Sequence, residues 1–284
     1  MSVAVLMPSG ITDEWRARAR QFTEAWYARN IAAPVFPGQC DGQWSKGAAV
    51  ADAVRTASDA SVYVLADADS VLHDPADLKT AIARVVGGEP WAIPHSRVYR
   101  LNAKESQRLA DDPIAPARLG WTCRPMYYAV AGGGITVVSR EAFEAVRGID
   151  ARFLGWGGED LTFGWALETL VGEAWRGAGQ LIHLWHPHPA PNLRGSIESE
   201  ALVAIYRSAR GVRRRMQAVV DGEQWAPAEP LPVPVRFRMT ANRDTIRLPS
   251  GEVVRFTQQS YETTDADVAD QLRTYEIVRE EVLR

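Results

Sequence analysis

Short apolar runs alternate with helix-spaced apolar residues along most of the chain. Val3-Ala-Val-Leu-Met7 is an unbroken hydrophobic stretch closed by Pro8-Ser9-Gly10, the pattern of a buried strand ending in a turn. Thr12 or Asp13 caps the next segment, where Trp15, Ala19, Phe22, Ala25 and Trp26 recur at helical spacing through about Arg29. Pro34-Val-Phe-Pro37 is extended, Gly47 to Ala57 is an Ala-rich helix, and Ser61-Val-Tyr-Val-Leu-Ala66 is again a strand. The alternation continues with helices over Asp77 to Val86, Arg140 to Val146 and Glu159 to Leu170, and strands over Trp91 to Pro94, Ile135 to Ser139 and Leu181 to His186. Strand, helix, strand in this order calls for parallel pairing, so the expected fold is an α/β sheet with helices on its faces.

Three stretches break the rhythm. Leu101 to Ala131 carries Pro113, Pro116 and Pro125 with Trp121, Tyr127 and Tyr128, and reads as an irregular segment of the kind that binds something. Ser199 to Val220 reads as one helix, with Arg207, Arg210 and Arg213 to Arg215 on or near one face; most such runs are solvated faces. Ala226 to Pro234 holds four prolines in nine residues, which is semi-rigid linker composition. The expected division is one domain over residues 1–225, a linker over 226–234 and a small β-hairpin and helix module over 235–284. The module's strands are expected at Val235 to Met239, Thr245 to Leu248 and Glu252 to Thr257, and its helix at Asp265 to Leu283.

Composition narrows the class. At 284 residues, 46% hydrophobic and 24% charged, the chain has the make-up of a globular protein with a sizeable core. The formal net charge of −3 provides no overall basic field to draw it to nucleic acid or an anionic membrane. No apolar run reaches the roughly 18–20 residues of a spanning helix. Cys40 and Cys123 form at most one pair, and Met1 to Pro8 shows no secretory signal, so a reduced cytoplasmic setting is expected.

Three clusters carry chemistry. Asp67-Ala-Asp69 follows a buried strand, at the edge where open α/β sheets place ligands, and two carboxylates there can reach a hard divalent cation. Taken alone, an acidic pair after a strand is common. Trp156-Gly157-Gly158-Glu159-Asp160 joins a glycine turn, an indole and two acids at a helix start, where the helix dipole favours an ionised carboxylate suited to accept a proton. Read singly, Asp160 is a helix cap and Trp156 a core plug. His183 and His186 are followed by His188, and an imidazole there could complete a metal shell begun by Asp69.

In order and approximate spacing, Asp67-Ala-Asp69, Phe153-Leu-Gly-Trp-Gly-Gly-Glu-Asp160 and His183-Leu-Trp-His186 resemble the GT-A glycosyltransferases. The likeness covers about residues 1–215 and is greatest to the family 2 enzymes and the W-G-W-G-G-E-D region of the β-1,4-galactosyltransferases. It implies a GT-A fold, Rossmann-like with a mixed, mostly parallel sheet flanked by helices, followed by a small α+β appendage. It further implies transfer of a sugar from a nucleoside-diphosphate sugar, a UDP-sugar favoured, to a hydroxyl acceptor on a glycan, protein or other molecule. Asp69 would ligate Mn²⁺ or Mg²⁺ with His186, and His183 stands where the galactosyltransferases carry a methionine ligand. Asp67 would hold the donor ribose or the metal through water. Asp160 would be the catalytic base, and Glu159 would help to hold a sugar. Pro8, Asp41, Lys46, Trp156 and Gly157 would line the nucleotide-sugar pocket, with Trp121, Tyr127 and Tyr128 stacking on the acceptor. Related enzymes that retain configuration read W-G-G-E-N, so Asp160 favours inversion. Two other readings share the scaffold: a non-catalytic sugar- or nucleotide-binding or virion-associated protein, and a sugar nucleotidyltransferase. The C-terminal stretch is faintly like bacteriophage structural modules, which would suit a phage-encoded enzyme. Pro8-Ser-Gly-Ile-Thr12 lacks the basic, glycine-rich loop that a nucleotidyltransferase needs.

Overall fold

A computed structural model describes residues 2–10, 13–111, 125–126, 133–187, 196–223, 234–241 and 243–281. Its main sheet runs in the order β2-β1-β3-β7-β5-β8-β4, with β6 paired to β5. The strands are β1 (Val3–Pro8), β2 (Val35–Gly38), β3 (Val62–Ala66), β4 (Ser70–Leu72), β5 (Trp91–Arg100), β6 (Pro125–Met126), β7 (Ile135–Ser139) and β8 (Trp175–His183). The pairs β1–β2, β1–β3 and β5–β8 are parallel, whereas β7 runs antiparallel to both β3 and β5. Five of the eight strands therefore point one way. This is the mixed, mainly parallel Rossmann-like arrangement expected of a GT-A domain, with β7 inserted against the direction of its neighbours.

Period-2 alternation splits the core between two faces. Ala4, Leu6, Tyr63, Leu65 and Val138 face one helix layer, and Val5, Met7, Val62, Val64 and Val137 face the other. Helices α2 (Lys46–Thr56), α5 (Arg140–Ala145), α6 (Glu159–Leu170), α7 (Ile197–Ala209) and α8 (Arg213–Val220) cover the first face. Helices α1 (Glu14–Asn30), α3 (Pro75–Val86) and α4 (Ala103–Asp111) cover the second. Because β3 is buried on both sides, its sequence Val-Tyr-Val-Leu-Ala is apolar throughout. Each fully buried Leu, Ile, Val or Phe contributes about 1.5–3 kcal/mol, which holds the strand ends rigid beneath the site.

Several expectations change. Within Leu101 to Ala131 the chain forms α4, whose residues are mostly polar; only Ser106 and Leu109 are buried, one helical turn apart, so periodicity has a single apolar anchor to register. Trp121, Tyr127 and Tyr128 lie outside the described residues, as does the linker expectation except for Pro234. Strand β5 runs on to Arg100, and β8 starts at Trp175 and ends at His183, leaving His186 beyond the strand. The helix expected over 199–220 is two helices, divided where Gly211 adopts φ +73°.

In the C-terminal part β9 (Val235–Met239) sits between β12 (Ser260–Thr263) and β13 (Val278–Glu281), and β10 (Thr245–Arg247) pairs with β11 (Val253–Arg255). Phe237, Met239, Phe256, Val268 and Leu272 belong to a separate core there. The final helix, α9, spans Ala266–Arg273 and stops well short of Leu283, because the chain turns, Val278 N–H donating to Tyr275 O, and returns as β13. In the arginine run of α8 Arg213 and Arg214 are exposed, as a solvated face would have them, but Arg214 and Arg215 both pair with Asp267 of α9, whose side chain is 3% exposed. Among the described residues no helix is long and apolar enough to cross a membrane.

Candidate functional site

The acidic turn leaves β3 at its carboxyl end and is fixed from three sides. The Asp67 N–H donates to Gly134 O at 3.0 Å, Ser70 N–H to Asp67 O at 3.1 Å, and Leu184 N–H to Asp69 O at 2.8 Å. Antiparallel pairing of β4 with β8 sets Ser70 opposite His183, so the register itself carries the histidines to Asp69. Asp69 Oδ2 lies 3.2 Å from His186 Nε2 and Asp69 Oδ1 lies 3.7 Å from His183 Nε2. One ligand atom from each of Asp69, His183 and His186 falls within 4.8 Å of the other two. Burial alone would raise the Asp69 carboxyl, but His183, the hydrogen bond with His186 and the charge of Arg16 hold it well below the usual carboxylate range. Burial lowers the His183 imidazole, against the pull of Asp69, and so favours the neutral form that ligates metals. An ionised carboxylate and two imidazoles suit Mn²⁺ or a similar divalent cation, with open positions left for anionic oxygens.

A second network adjoins the first. Ser45 caps α2 by accepting from Ala48 N–H at 3.3 Å and donates through Oγ to Ala151 O at 3.0 Å. Gly155 N–H donates to Trp44 O at 2.8 Å, so the starts of α2 and α6 are tied together. Lys46 Nζ consequently sits 2.5 Å from Asp67 Oδ1 and 2.7 Å from Asp160 Oδ1. Burial would lower the ammonium, but Asp160, Asp67 and Glu159 raise it above the ordinary lysine range, so it stays charged. Asp160 is pushed up to about 7, first by burial and then by Asp67 and Glu159, against the pull of Lys46. Glu159 is buried and accepts from Gly157 N–H at 2.8 Å, which commits its carboxylate to the glycine turn. Gly157 and Gly158 take φ +120° and +97°, and a Cβ on Gly158 would lie 2.4 Å from Val203 Cγ2.

The structure therefore brings together Lys46, Asp67, Asp160 and Glu159 on one side and Asp69, His183 and His186 on the other. Pro8 closes β1 beside Gly38, and Trp156 is half-buried, its ring stacked on Trp44 with centroids 6.0 Å apart. Asp41 is exposed between β2 and α2, outside this network. Two participants escaped the sequence reading. Trp44 precedes Ser45 by one position, and Arg16 stands one turn into α1, with its Cζ 5.0 Å from the Trp156 ring centre. The available signal for Arg16 was its place just after the β1–α1 turn, at the sheet edge where ligands bind.

Residues 119–166 match the family described as the N-terminal domain of galactosyltransferase, a segment that contains Trp156 to Asp160. No curated protein matches the chain. Among solved structures, the catalytic domain of Drosophila β1,4-galactosyltransferase 7 with xylobiose shares 18% identity over 63% of this chain and 67% of its own, at a TM-score of 0.41. GalNAc-T7 with UDP, GalNAc and Mn²⁺ shares 11% identity over 92% of this chain and 66% of its own, at 0.46. Glucosyl-3-phosphoglycerate synthase from Mycobacterium tuberculosis with Mn²⁺, UDP-glucose and phosphoglyceric acid shares 11% over 94% and 91%, at 0.39. The segment match likens residues 119–166 to the galactosyltransferases, and the mixed, mainly parallel sheet is the arrangement expected of a GT-A domain.

Proposed function

We propose that the protein is a metal-dependent glycosyltransferase that moves a sugar from a nucleoside-diphosphate sugar, a UDP-sugar favoured, to a hydroxyl acceptor with inversion. The observation that carries this reading is the pairing of two clusters at one sheet edge: a carboxylate–imidazole group fit for a divalent cation, and Lys46 between Asp67 and Asp160. The cation, when bound, supplies charge stabilisation for the departing diphosphate. Asp69, His183 and His186 would hold it. Lys46 offers a second, permanently charged group beside the same anion. Trp156, stacked on Trp44 beside the glycine turn, would border the sugar.

The acceptor oxygen attacks the anomeric carbon as the bond from that carbon to the diphosphate oxygen breaks, and the hydroxyl proton passes to Asp160. A base near neutrality is best matched to that transfer, which supports Asp160 over the fully ionised Asp69. Glu159 acts by shaping the turn through Gly157. A separate C-terminal unit after the proline-rich linker belongs to the same reading, as a module docked through Asp267.

Release of UDP from UDP-glucose, UDP-galactose and UDP-N-acetylgalactosamine tests the proposal. Turnover of one donor should require Mn²⁺ and stop with chelator. Asp160→Asn should keep donor binding and lose transfer by about 10²–10⁴-fold. Undiminished turnover in that variant would remove Asp160 from the base role.

A further inference from the structure

The neighbours of His186 make two incompatible demands on one nitrogen. Nδ1 lies 3.0 Å from Arg16 Nη2 and 2.9 Å from the carbonyl oxygen of Pro187. A guanidinium only donates hydrogen bonds and a carbonyl only accepts them. Nδ1 of a neutral ring carries either a lone pair or a proton, so the two contacts cannot both be hydrogen bonds at once. With Arg16 as the partner, the ring proton sits on Nε2 and points to Asp69 Oδ2, 3.2 Å away. Arg16 and Asp69 are then both satisfied without a metal, and the Pro187 carbonyl alone faces a lone pair. With Pro187 as the partner, the Nε2 lone pair faces the Asp69 carboxylate. Two acceptors in that position repel unless a cation lies between them, and a cation ligated by Nε2 requires this second tautomer.

We infer that Arg16 is a metal-gated anion-binding residue: a divalent cation on Asp69 and His186 shifts the His186 proton to Nδ1, hands that nitrogen to Pro187 and frees the Arg16 guanidinium for the donor diphosphate. The inference rests on the transferase reading of this site. The guanidinium has little room to leave, since its side chain is 12% exposed, it lies over the Trp156 face and its Nε is 3.6 Å from Asp13 Oδ2. Once the cation is bound, two positive centres stand close together, and an anion between them relieves their repulsion. Metal and diphosphate then bind cooperatively, each tightening the other by the same factor.

Nitrogen-15 spectra of the histidine rings and Mn²⁺ titrations test this without recourse to activity. Metal-free wild-type protein should show His186 protonated at Nε2, and Mg²⁺ should move the proton to Nδ1. A wild-type ring already protonated at Nδ1 without metal would overturn the gate, and no variant is needed for that result. Arg16→Met should bind Mn²⁺ several-fold more tightly than wild type in the absence of nucleotide. The tightening of Mn²⁺ binding by UDP or by inorganic pyrophosphate should fall about tenfold in the same variant. Unchanged Mn²⁺ affinity and unchanged coupling would contradict the inference, as would a wild type that binds no Mn²⁺. If pyrophosphate couples to Mn²⁺ through Arg16 but no nucleoside diphosphate binds, the gate stands and the transferase reading falls.

Discussion

Asp160 shares its Lys46 partner with Asp67, and burial, followed by the charges of Asp67 and Glu159, pushes it up to about 7 against the pull of that ammonium. A base must be deprotonated to work, so kcat/KM should rise roughly tenfold per pH unit below about 7 and level off above it. A profile flat between pH 5.5 and 8 would assign the proton transfer elsewhere. Lys46→Met removes the ammonium while leaving three neighbouring carboxylates, so the lower limb should move to higher pH and donor affinity should drop. Asp67, Asp69, Glu159 and Asp160 were legible in the sequence because each lies in a short motif at an element boundary. Arg16 was not. It is one of four arginines in α1, and only the β4–β8 register that brings His186 under it sets it apart from Arg18, Arg20 and Arg29.

At the scale of elements, the site depends on how closely α2 and α6 start beside one another. Gly47 follows Lys46 directly, and a Cβ there would lie 2.5 Å from Ile149 O and 2.7 Å from Ala151 N. Backbone atoms cannot swing aside as a side chain can, so Gly47→Ala must push α2 away from residues 149–151. The expected loss is about 1–3 kcal/mol in a thermal melt, with weaker nucleotide binding because Lys46 moves as well. A variant as stable and as tight-binding as wild type would show that the helix start is not so constrained. Most helix starts were readable: Asp13 caps α1 as expected, and α2 and α5 begin within a residue or so of their expected starts, capped by Ser45 and Ser139. Boundaries set by tertiary contacts were less so. Gly211 divides α7 from α8 where helical spacing alone continues, and its position against Pro249 and Gln271 of the C-terminal part explains the turn.

Across the whole molecule, strand order and direction were the hardest features to foresee. Alternating elements announced an α/β sheet, but nothing in Ile135 to Ser139 distinguishes an antiparallel insertion from another parallel strand. The same limit hid the role of Arg214 and Arg215, which look solvated until Asp267 arrives from more than fifty residues away. Asp267→Ala should lower stability by about 1–3 kcal/mol, because the largely buried Arg215 loses the Asp267 carboxylate. Metal and nucleotide affinities should not change, since the pair lies outside the site. Loss of both would tie the C-terminal part to catalysis instead.

Calorimetric titration of UDP and GDP in the presence and absence of Mn²⁺, on wild type and Asp69→Asn, bears most directly on the central claim. One nucleotide should bind wild type only with Mn²⁺, and Asp69→Asn should lose that dependence together with the binding. Nucleotide binding that ignores both Mn²⁺ and Asp69, or no binding of any nucleoside diphosphate with Mn²⁺ present, would contradict the account.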